Sequence, residues 1–186
     1  MSSEKSKKSK KQESDLKIIK QTKGNTLVLF NFVELQGKPL YELIQVSSQK
    51  PVYFIHGATE VEEREQIRKV MDKGSDAILI ASYGTCSTGI NIRNIHNIVF
   101  ASPSKSVIRV LQSIGRGLRK SDTKVQMKLI DIADDLRYKS YTNHGINHLR
   151  ERLKIYTNEG FPYKLISVQL PKETHETLQD HKTEIG

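Results

Sequence analysis

Residues 27–31 read Leu-Val-Leu-Phe-Asn, a short apolar run that ends on a polar residue. Such a run is typical of a β-strand buried on both faces of a sheet. Four more runs of this kind predict further strands, at residues 52–55, 77–81, 97–101 and 125–132. Because helical segments separate the strands, the sequence predicts a doubly wound α/β domain with a largely parallel sheet of about five to six strands and helices on both faces.

Helix signals lie between the first strands. Pro39 is tolerated only in the first turn of a helix, so a helix is predicted to begin near residues 37–39 and to run to about residue 47. Thr59 and Glu62 have the spacing of a capping box, which opens a second helix that ends at Gly74. The positions of this second helix predicted to face the core are Val61, Ile67, Val70 and Met71.

Two later helices follow from apolar spacings of three and four residues. The first begins at about residues 104–106 and carries Val107, Val110, Leu111, Ile114 and Leu118. The second spans residues 142–159, is stopped by Gly160, and carries Ile146, Leu149, Leu153 and Tyr156. Residues 161–170 are a possible last strand, and the segment rich in Gly, Ser, Thr and Asn between the third and fourth strands is predicted to be too polar for a core.

The chain divides into four parts by composition. Residues 1–14 contain five Lys, five Ser and two Glu and no aliphatic side chain after Met1, so nothing there offsets the entropy of ordering. The predicted parts are a disordered basic tail at 1–15, the α/β domain at 16–140, a helix and strand extension at 141–170, and a flexible end at 171–186. A solubilising role for the tail is favoured over a DNA-binding arm.

Composition excludes several classes of protein. The net charge of +9 and the pI near 9.5 favour a polyanionic partner. The sign of the charge alone does not separate nucleic acid from an anionic membrane surface, and the predicted partner is nucleic acid with no membrane. No apolar run is long enough to cross a bilayer, and the N-terminus lacks the apolar stretch of a secretory signal. The single cysteine, Cys86, excludes an internal disulfide framework and a cysteine-based zinc site. No metal site is predicted, and the expected location is the cytoplasm, or the host cytoplasm if the protein is viral.

The densest functional signal is the stretch 112–119, Gln-Ser-Ile-Gly-Arg-Gly-Leu-Arg. Arg116 and Arg119 are three residues apart, so on a helix they point the same way, and the neighbouring glycines permit close approach of a phosphate. Paired guanidinium groups suit a polyphosphate because they stay charged and donate several fixed hydrogen bonds. The alternative is a solvated basic helix end favoured by the helix dipole; the accompanying Gln and glycines favour the phosphate role.

Other nucleotide-binding signals are missing. The sequence contains no Gly-x-x-x-x-Gly-Lys-[Ser/Thr] phosphate loop, and residues 32–34 after the first strand are Phe-Val-Glu instead of a glycine-rich turn. A nicotinamide-binding Rossmann domain is therefore not supported. The carboxylates Asp131, Asp134 and Asp135 could form a magnesium site, but capping and turn formation is the commoner use of such residues.

Four segments, in order and spacing, resemble the second RecA-like domain of superfamily 2 helicases. Residues 26–31 resemble its opening strand, and Gly57 is followed seven residues later by Arg64 in a His-Gly…Arg-Glu pattern typical of the family. Residues 80–92 are similar to the segment that couples ATP to nucleic acid, and residues 112–119 to the arginine-finger motif Gln-x-x-Gly-Arg-x-x-Arg. The resemblance covers about residues 24–136. The stretches 87–92, 112–120 and 129–136 are most similar to UvsW-type phage recombination and branch-migration helicases.

The resemblance implies two sets of site residues. Arg119 and Arg116 would reach the γ-phosphate of ATP, Gln112 would sense the nucleotide, and Gly89 and Asn91 would lie near the ribose and the interdomain interface. Many family members have Asp where this sequence has Asn91. Five residues would grip nucleic-acid phosphates through backbone N–H and hydroxyl groups: Asn31, Gly57, Arg64, Ser82 and Thr85. For Arg64, pairing with a neighbouring Glu is an ordinary alternative.

The resemblance also implies a partner. In this family the phosphate-loop lysine and the Asp-Glu pair, which hold ATP and Mg²⁺, belong to a first RecA-like domain that this sequence does not contain. The expected function is therefore the second motor domain of an ATP-dependent DNA helicase or translocase, inactive alone and completed by a first domain in cis or in trans. Its expected substrate is single-stranded or branched DNA. The alternatives are a stand-alone nucleic-acid-binding or regulatory module without ATPase activity, and part of an RNA helicase.

Overall fold

The computed structural model of the chain describes residues 16–87, 92, 94–102, 111, 127–135 and 144–168. Within these residues five strands form one all-parallel sheet: β1 (Thr26–Phe30), β2 (Val52–Ile55), β3 (Ile78–Ser82), β4 (Asn97–Phe100) and β5 (Lys128–Asp131). Their spatial order is β2-β3-β1-β4-β5. The predicted parallel α/β sheet is confirmed. Each strand overlaps a predicted apolar run. The three central strands β3, β1 and β4 are buried almost throughout, as expected for parallel strands covered on both faces, whereas the edge strands β2 and β5 are only partly buried.

Helices connect the strands. A π-helical turn (Val33–Gly37) leads directly into α1 (Lys38–Ser47), α2 (Val61–Lys73) follows β2, and the short α3 (Tyr83–Ser87) follows β3. α4 (His144–Asn158) follows β5, and residues 16–20 are also helical. The predicted helix at 104–106 onward falls outside the described residues except for Leu111, which is helical.

Two apolar clusters cover the two faces of the sheet. On one face Leu40 and Ile44 of α1 pack with Val28 and Phe30 of β1 and with Ile19. On the other face α2 and α3 pack against the sheet residues that point that way, and the buried members are Leu27, Leu29, Ile55, Ile67, Met71, Ala77, Leu79, Ala81, Tyr83, Cys86, Ile92, Ile98 and Phe100. Successive strand residues point to opposite faces, so β1 contributes to both clusters. The expectation of helices on both faces is confirmed.

The predictions for α2 were partly wrong. Ile67 and Met71 are buried, but Val61 is 70% exposed and Val70 46% exposed. The buried face of this helix is narrow, because it consists of one pair of residues spaced i, i+4. The helix begins at Val61 and the capping box is not formed. The Thr59 hydroxyl instead accepts a hydrogen bond from the His56 N–H (3.0 Å), within the turn that precedes the helix.

Two other predictions also require correction. Residues 161–168 pair with no strand and are exposed throughout, so the possible last strand is absent from this part of the described chain; residues 169–170 lie outside it. The segment after β3 contributes to the core through Tyr83, Cys86 and Ile92, although its composition is polar.

The end of α4 was predicted correctly. Gly160 adopts a left-handed conformation (φ 69°). Its N–H bonds the Thr157 carbonyl (3.1 Å), and the Phe161 N–H bonds the Tyr156 carbonyl (2.9 Å). This is the pattern in which glycine terminates a helix by satisfying its last carbonyls.

Candidate nucleic-acid interface at the carboxyl edge of the sheet

The carboxyl ends of β2, β3 and β1 lie side by side. Phe30 is the register partner of Ser82, and Ile55 that of Ala81. Asn31 and His56-Gly57 directly follow the strands that flank β3, while Ser82 is the last residue of β3 itself. The edge therefore brings together three residues that the sequence predicted to contact phosphates, Asn31, Gly57 and Ser82.

Thr85 joins this group through α3. The hydroxyls of Ser82 and Thr85 are 2.7 Å apart, and the Thr85 N–H points at the Ser82 hydroxyl oxygen (3.3 Å). Thr85 is buried and Ser82 is partly exposed. The pair fixes the start of α3 at the edge of the sheet, so that Ser82 presents a hydroxyl whose orientation is set by its neighbour.

Arg64 contacts the turn that contains Gly57. Its Nε donates to the Thr59 carbonyl (2.7 Å) and its Nη2 to the Gly57 carbonyl (2.8 Å). These two nitrogens therefore bind backbone carbonyls and not a neighbouring Glu, the alternative considered from sequence. By holding two carbonyls, Arg64 fixes residues 57–59 against the first turn of α2.

Gly57 lies in open space. A Cβ placed on it would meet no atom of the described residues within 4 Å, and its φ is not in the left-handed region. Neither packing against the described part of the chain nor backbone conformation therefore requires glycine there. Gly84, between Ser82 and Thr85, has the same open surroundings. Glycines that the chain's own packing does not need permit the close approach of an external backbone or phosphate.

The remaining predicted site residues are not placed. Gly89, Asn91, Gln112, Arg116 and Arg119 lie outside the described residues. The predicted nucleotide-facing set thus remains a prediction, and only the predicted phosphate-gripping set has a described geometry.

The chain as a whole is similar to known proteins. The sequence profile of the helicase conserved C-terminal domain matches residues 10–121. The chain belongs to this helicase family. It is 33% identical over 162 residues to the ATP-dependent DNA helicase uvsW of Enterobacteria phage T4, an alignment that covers 82% of this chain and 32% of that protein. The chain therefore spans about a third of the length of that relative.

Solved structures agree on the fold. The crystal structure of T4 UvsW matches with a TM-score of 0.66 at 32% identity, over 81% of this chain and 33% of that one. The C-terminal domain of the DEAD-box protein Dbp5 matches with a TM-score of 0.63 at 14% identity, over 81% of this chain and 80% of that one. The fold is thus that of the RecA-like helicase C-terminal domain, as predicted.

Sequence reasoning missed the residues that support this edge of the helicase domain. The Oε1 of Gln36 accepts hydrogen bonds from the backbone N–H groups of Asn31 (3.3 Å) and Phe32 (3.2 Å) and from the Ser102 hydroxyl (2.8 Å). Ser102 follows β4 and is buried, and its carbonyl accepts from the Tyr83 hydroxyl (2.9 Å). Burial, together with the nearby Asp131 carboxylate, raises the pKa of Tyr83 far above its usual range, so the hydroxyl stays a donor.

Asp131 has a structural role. Its carboxylate accepts from Nε (2.6 Å) and Nη2 (2.8 Å) of Arg152 and from the hydroxyl of Tyr156 (2.8 Å). The two charged side chains are almost fully buried. Asp131 therefore ties α4 to the end of β5, which is neither the magnesium site nor the capping role considered from sequence. Within the described residues no group of three or more His, Cys, Asp or Glu side chains could hold a metal ion. No described helix is long and apolar enough to cross a membrane.

Proposed function

We propose that this chain is the second motor domain of an ATP-dependent DNA helicase or translocase acting in recombination, repair or branch migration. Membership of the helicase C-terminal domain family and the relationship to UvsW support the proposal. The observation that carries it is the open carboxyl edge, where Asn31, Gly57 and Ser82 converge on three neighbouring strands. Ligands of open α/β sheets bind outside this edge.

The proposed contact at this edge is with phosphates. The backbone around Gly57, the Ser82 hydroxyl that Thr85 orients, and Asn31 supply polar groups rather than base-reading side chains. Contacts of this kind position a strand without reading its sequence. Because the chain carries a net charge of +9, DNA binding is expected to weaken steeply with salt. In a plot of the logarithm of the binding constant against the logarithm of the salt concentration, each phosphate contact on a single strand contributes a slope of about −0.7.

The nucleotide-facing part of the proposal rests on the motif at residues 112–119. Arg119 and Arg116 would donate hydrogen bonds to the γ-phosphate, Gln112 would respond to the bound nucleotide, and Gly89 and Asn91 would lie near the ribose. ATP and Mg²⁺ would be held mainly by a first RecA-like domain in cis or in trans, with the metal neutralising charge on the phosphates. Opening and closing of the two domains would then alternate the grip on DNA.

The test is ATP hydrolysis by the purified 186-residue chain, with and without single-stranded DNA, beside a salt titration of DNA binding. We expect salt-sensitive binding and no turnover, because an arginine finger supplements an ATPase site but cannot build one. DNA-stimulated turnover by this chain alone would contradict the proposed division of the site. The absence of DNA binding at any salt concentration would contradict the proposed grip.

A second experiment isolates the arginine finger. In an assembly with a first motor domain, Arg119→Ala is expected to lower turnover by about 10³-fold or more. Arg150→Ala is the matched control, because Arg150 is exposed on α4 and lies outside the motif in sequence. Unchanged turnover in Arg119→Ala would contradict the role of Arg119. Normal DNA binding without turnover in the wild-type assembly would favour the stand-alone binding module.

A further inference from the structure

An aromatic ring stands in solvent at the carboxyl edge. Phe32 follows Asn31 at the end of β1, and its side chain is 60% exposed. Leu35, three residues further along, is also exposed, and Phe32 directly follows the predicted phosphate contact Asn31. A single exposed apolar residue is common on protein surfaces. The environment of Phe32 is what distinguishes it.

The backbone of Phe32 is held at both its donor and its acceptor. Its N–H donates to Gln36 Oε1 (3.2 Å), and its carbonyl accepts from the N–H groups of Gln36 and Gly37 (both 3.0 Å). Gln36 is itself fixed by the buried Ser102 hydroxyl. The ring therefore projects from a fixed backbone, which means that little backbone entropy is lost when the ring binds a flat ligand.

The turn that presents the ring is specialised. Val33–Gly37 is π-helical, a conformation found frequently at functional sites. It brings Gly37 so close to Phe30 that a Cβ would lie 2.5 Å from ring atoms of Phe30. The one carboxylate of the turn, Glu34, is paired with Lys38 (2.7 Å), so its charge is largely neutralised next to the proposed nucleic-acid phosphates.

We propose that Phe32 is a base-stacking residue of this interface. Its ring stacks on one base of the strand whose phosphates are gripped by Asn31, Gly57 and Ser82. Stacking on an aromatic face suits any base, so the contact is compatible with sequence-independent binding. The inference rests on the proposed nucleic-acid grip and adds to it a contact with bases.

The experiment measures binding of a fluorescent oligothymidylate to the 186-residue chain and its variants. Phe32→Ala is expected to weaken binding roughly 5- to 150-fold, the range measured for loss of one stacked base, while the salt slope stays unchanged because no phosphate contact is lost. Phe32→Trp is expected to restore wild-type affinity. Val46→Ala is the matched control, since Val46 is 90% exposed near the other end of α1. Thermal unfolding of all variants checks that the fold is intact.

An oligonucleotide of the same length with abasic sites gives the decisive comparison. On it, wild type and Phe32→Ala are expected to bind equally, because the partner of the ring is missing. Equal affinity of the two proteins for intact DNA would overturn the inference. An equal loss of affinity for intact and abasic DNA would also overturn it. So would a variant that binds DNA normally but associates less tightly with a first motor domain. If the wild type itself bound no DNA, the proposed function would fail as well, a result distinct from all of these.

Discussion

Two asparagines bracket β1, and their surroundings differ. Asn25, just before the strand, is fully buried: its Nδ2 lies within 2.8 Å of the carbonyl oxygens of Met71, Gly74 and Asn94, and its Oδ1 accepts from the Ala77 N–H (2.9 Å). Asn31, just after the strand, is partly exposed at an edge with open glycines. One residue type thus closes the amino edge of the sheet and borders the open carboxyl edge.

The difference shows where a ligand can bind. At the amino edge the loops are bound to one another, as when Asn97 Nδ2 donates to the Lys23 carbonyl (2.8 Å) and Lys50 pairs with Asp76 (2.7 Å). At the carboxyl edge near β1, β2 and β3 the internal hydrogen bonds fix the backbone of the loops, while Phe32 and Gly57 remain exposed to solvent. The β5 end of the same edge is closed by α4 through Asp131 and Arg152.

The largest expected effect is at this closed β5 end. Asp131→Ala leaves the Arg152 guanidinium buried and uncompensated, which is expected to lower the free energy of unfolding by about 3–5 kcal/mol. Urea-induced unfolding measures this change in the free energy of unfolding. Glu34→Ala is the control, because the exposed Glu34–Lys38 pair is worth less than about 1 kcal/mol. Similar stability of both variants would show that α4 does not close this end.

The two asparagines should separate stability from binding. Asn25→Ala leaves buried carbonyls and one buried N–H without a hydrogen-bond partner. We therefore expect a loss of roughly 2–3 kcal/mol in the free energy of unfolding. In Asn31→Ala we expect a smaller loss of stability, because Asn31 is partly exposed, and weaker binding of single-stranded DNA. Chemical denaturation and fluorescence anisotropy of both variants test this pair. Loss of stability in Asn31→Ala comparable to that of Asn25→Ala would remove the contrast between the two edges.

Two glycines provide a second test that separates stability from DNA binding. Gly37→Ala places a Cβ 2.5 Å from the Phe30 ring, and such overpacking is expected to cost about 1–3 kcal/mol. Gly57→Ala meets nothing within 4 Å, so the fold should tolerate it while affinity for DNA falls as the methyl group obstructs the approach of the phosphates. Melting temperatures and DNA titrations distinguish the two. Full DNA affinity in Gly57→Ala would argue that no backbone approaches that turn.

The smallest effect concerns Cys86, a buried residue of α3. Burial raises the pKa of its thiol from 9.0 to about 11, so about 0.1% is thiolate at pH 8. We expect negligible alkylation of the folded chain at that pH and rapid alkylation in urea. The stability conferred by the neutral buried thiol is complete below pH 9.0 and is lost as the pH rises towards about 11. Fast alkylation of the native chain would show that α3 opens readily.

Sequence reasoning succeeded where the signal was local. The strand at β1 follows from consecutive apolar residues, and the end of α4 from a glycine that can adopt positive φ. It failed where exposure depends on neighbours that are distant in sequence. The pattern at Val61 and Val70 is helical, but the sheet contacts only the stripe through Ile67 and Met71. The segment 161–168 has several apolar residues but pairs with no strand, which no local pattern could reveal.

For the site, the sequence by itself determined which residue types follow each strand and, through the order and spacing of four motifs, the family. Parallel strands bring their carboxyl ends to one edge, so the convergence of Asn31, Gly57 and Ser82 followed from the strand assignments. Only the tertiary structure decided that Gln36 and Ser102, 66 residues apart, hold the exposed Phe32 in place and that Arg152 neutralises Asp131. Hydrogen bonds between distant residues depend on the packing of the whole sheet and leave no periodic signal in the chain.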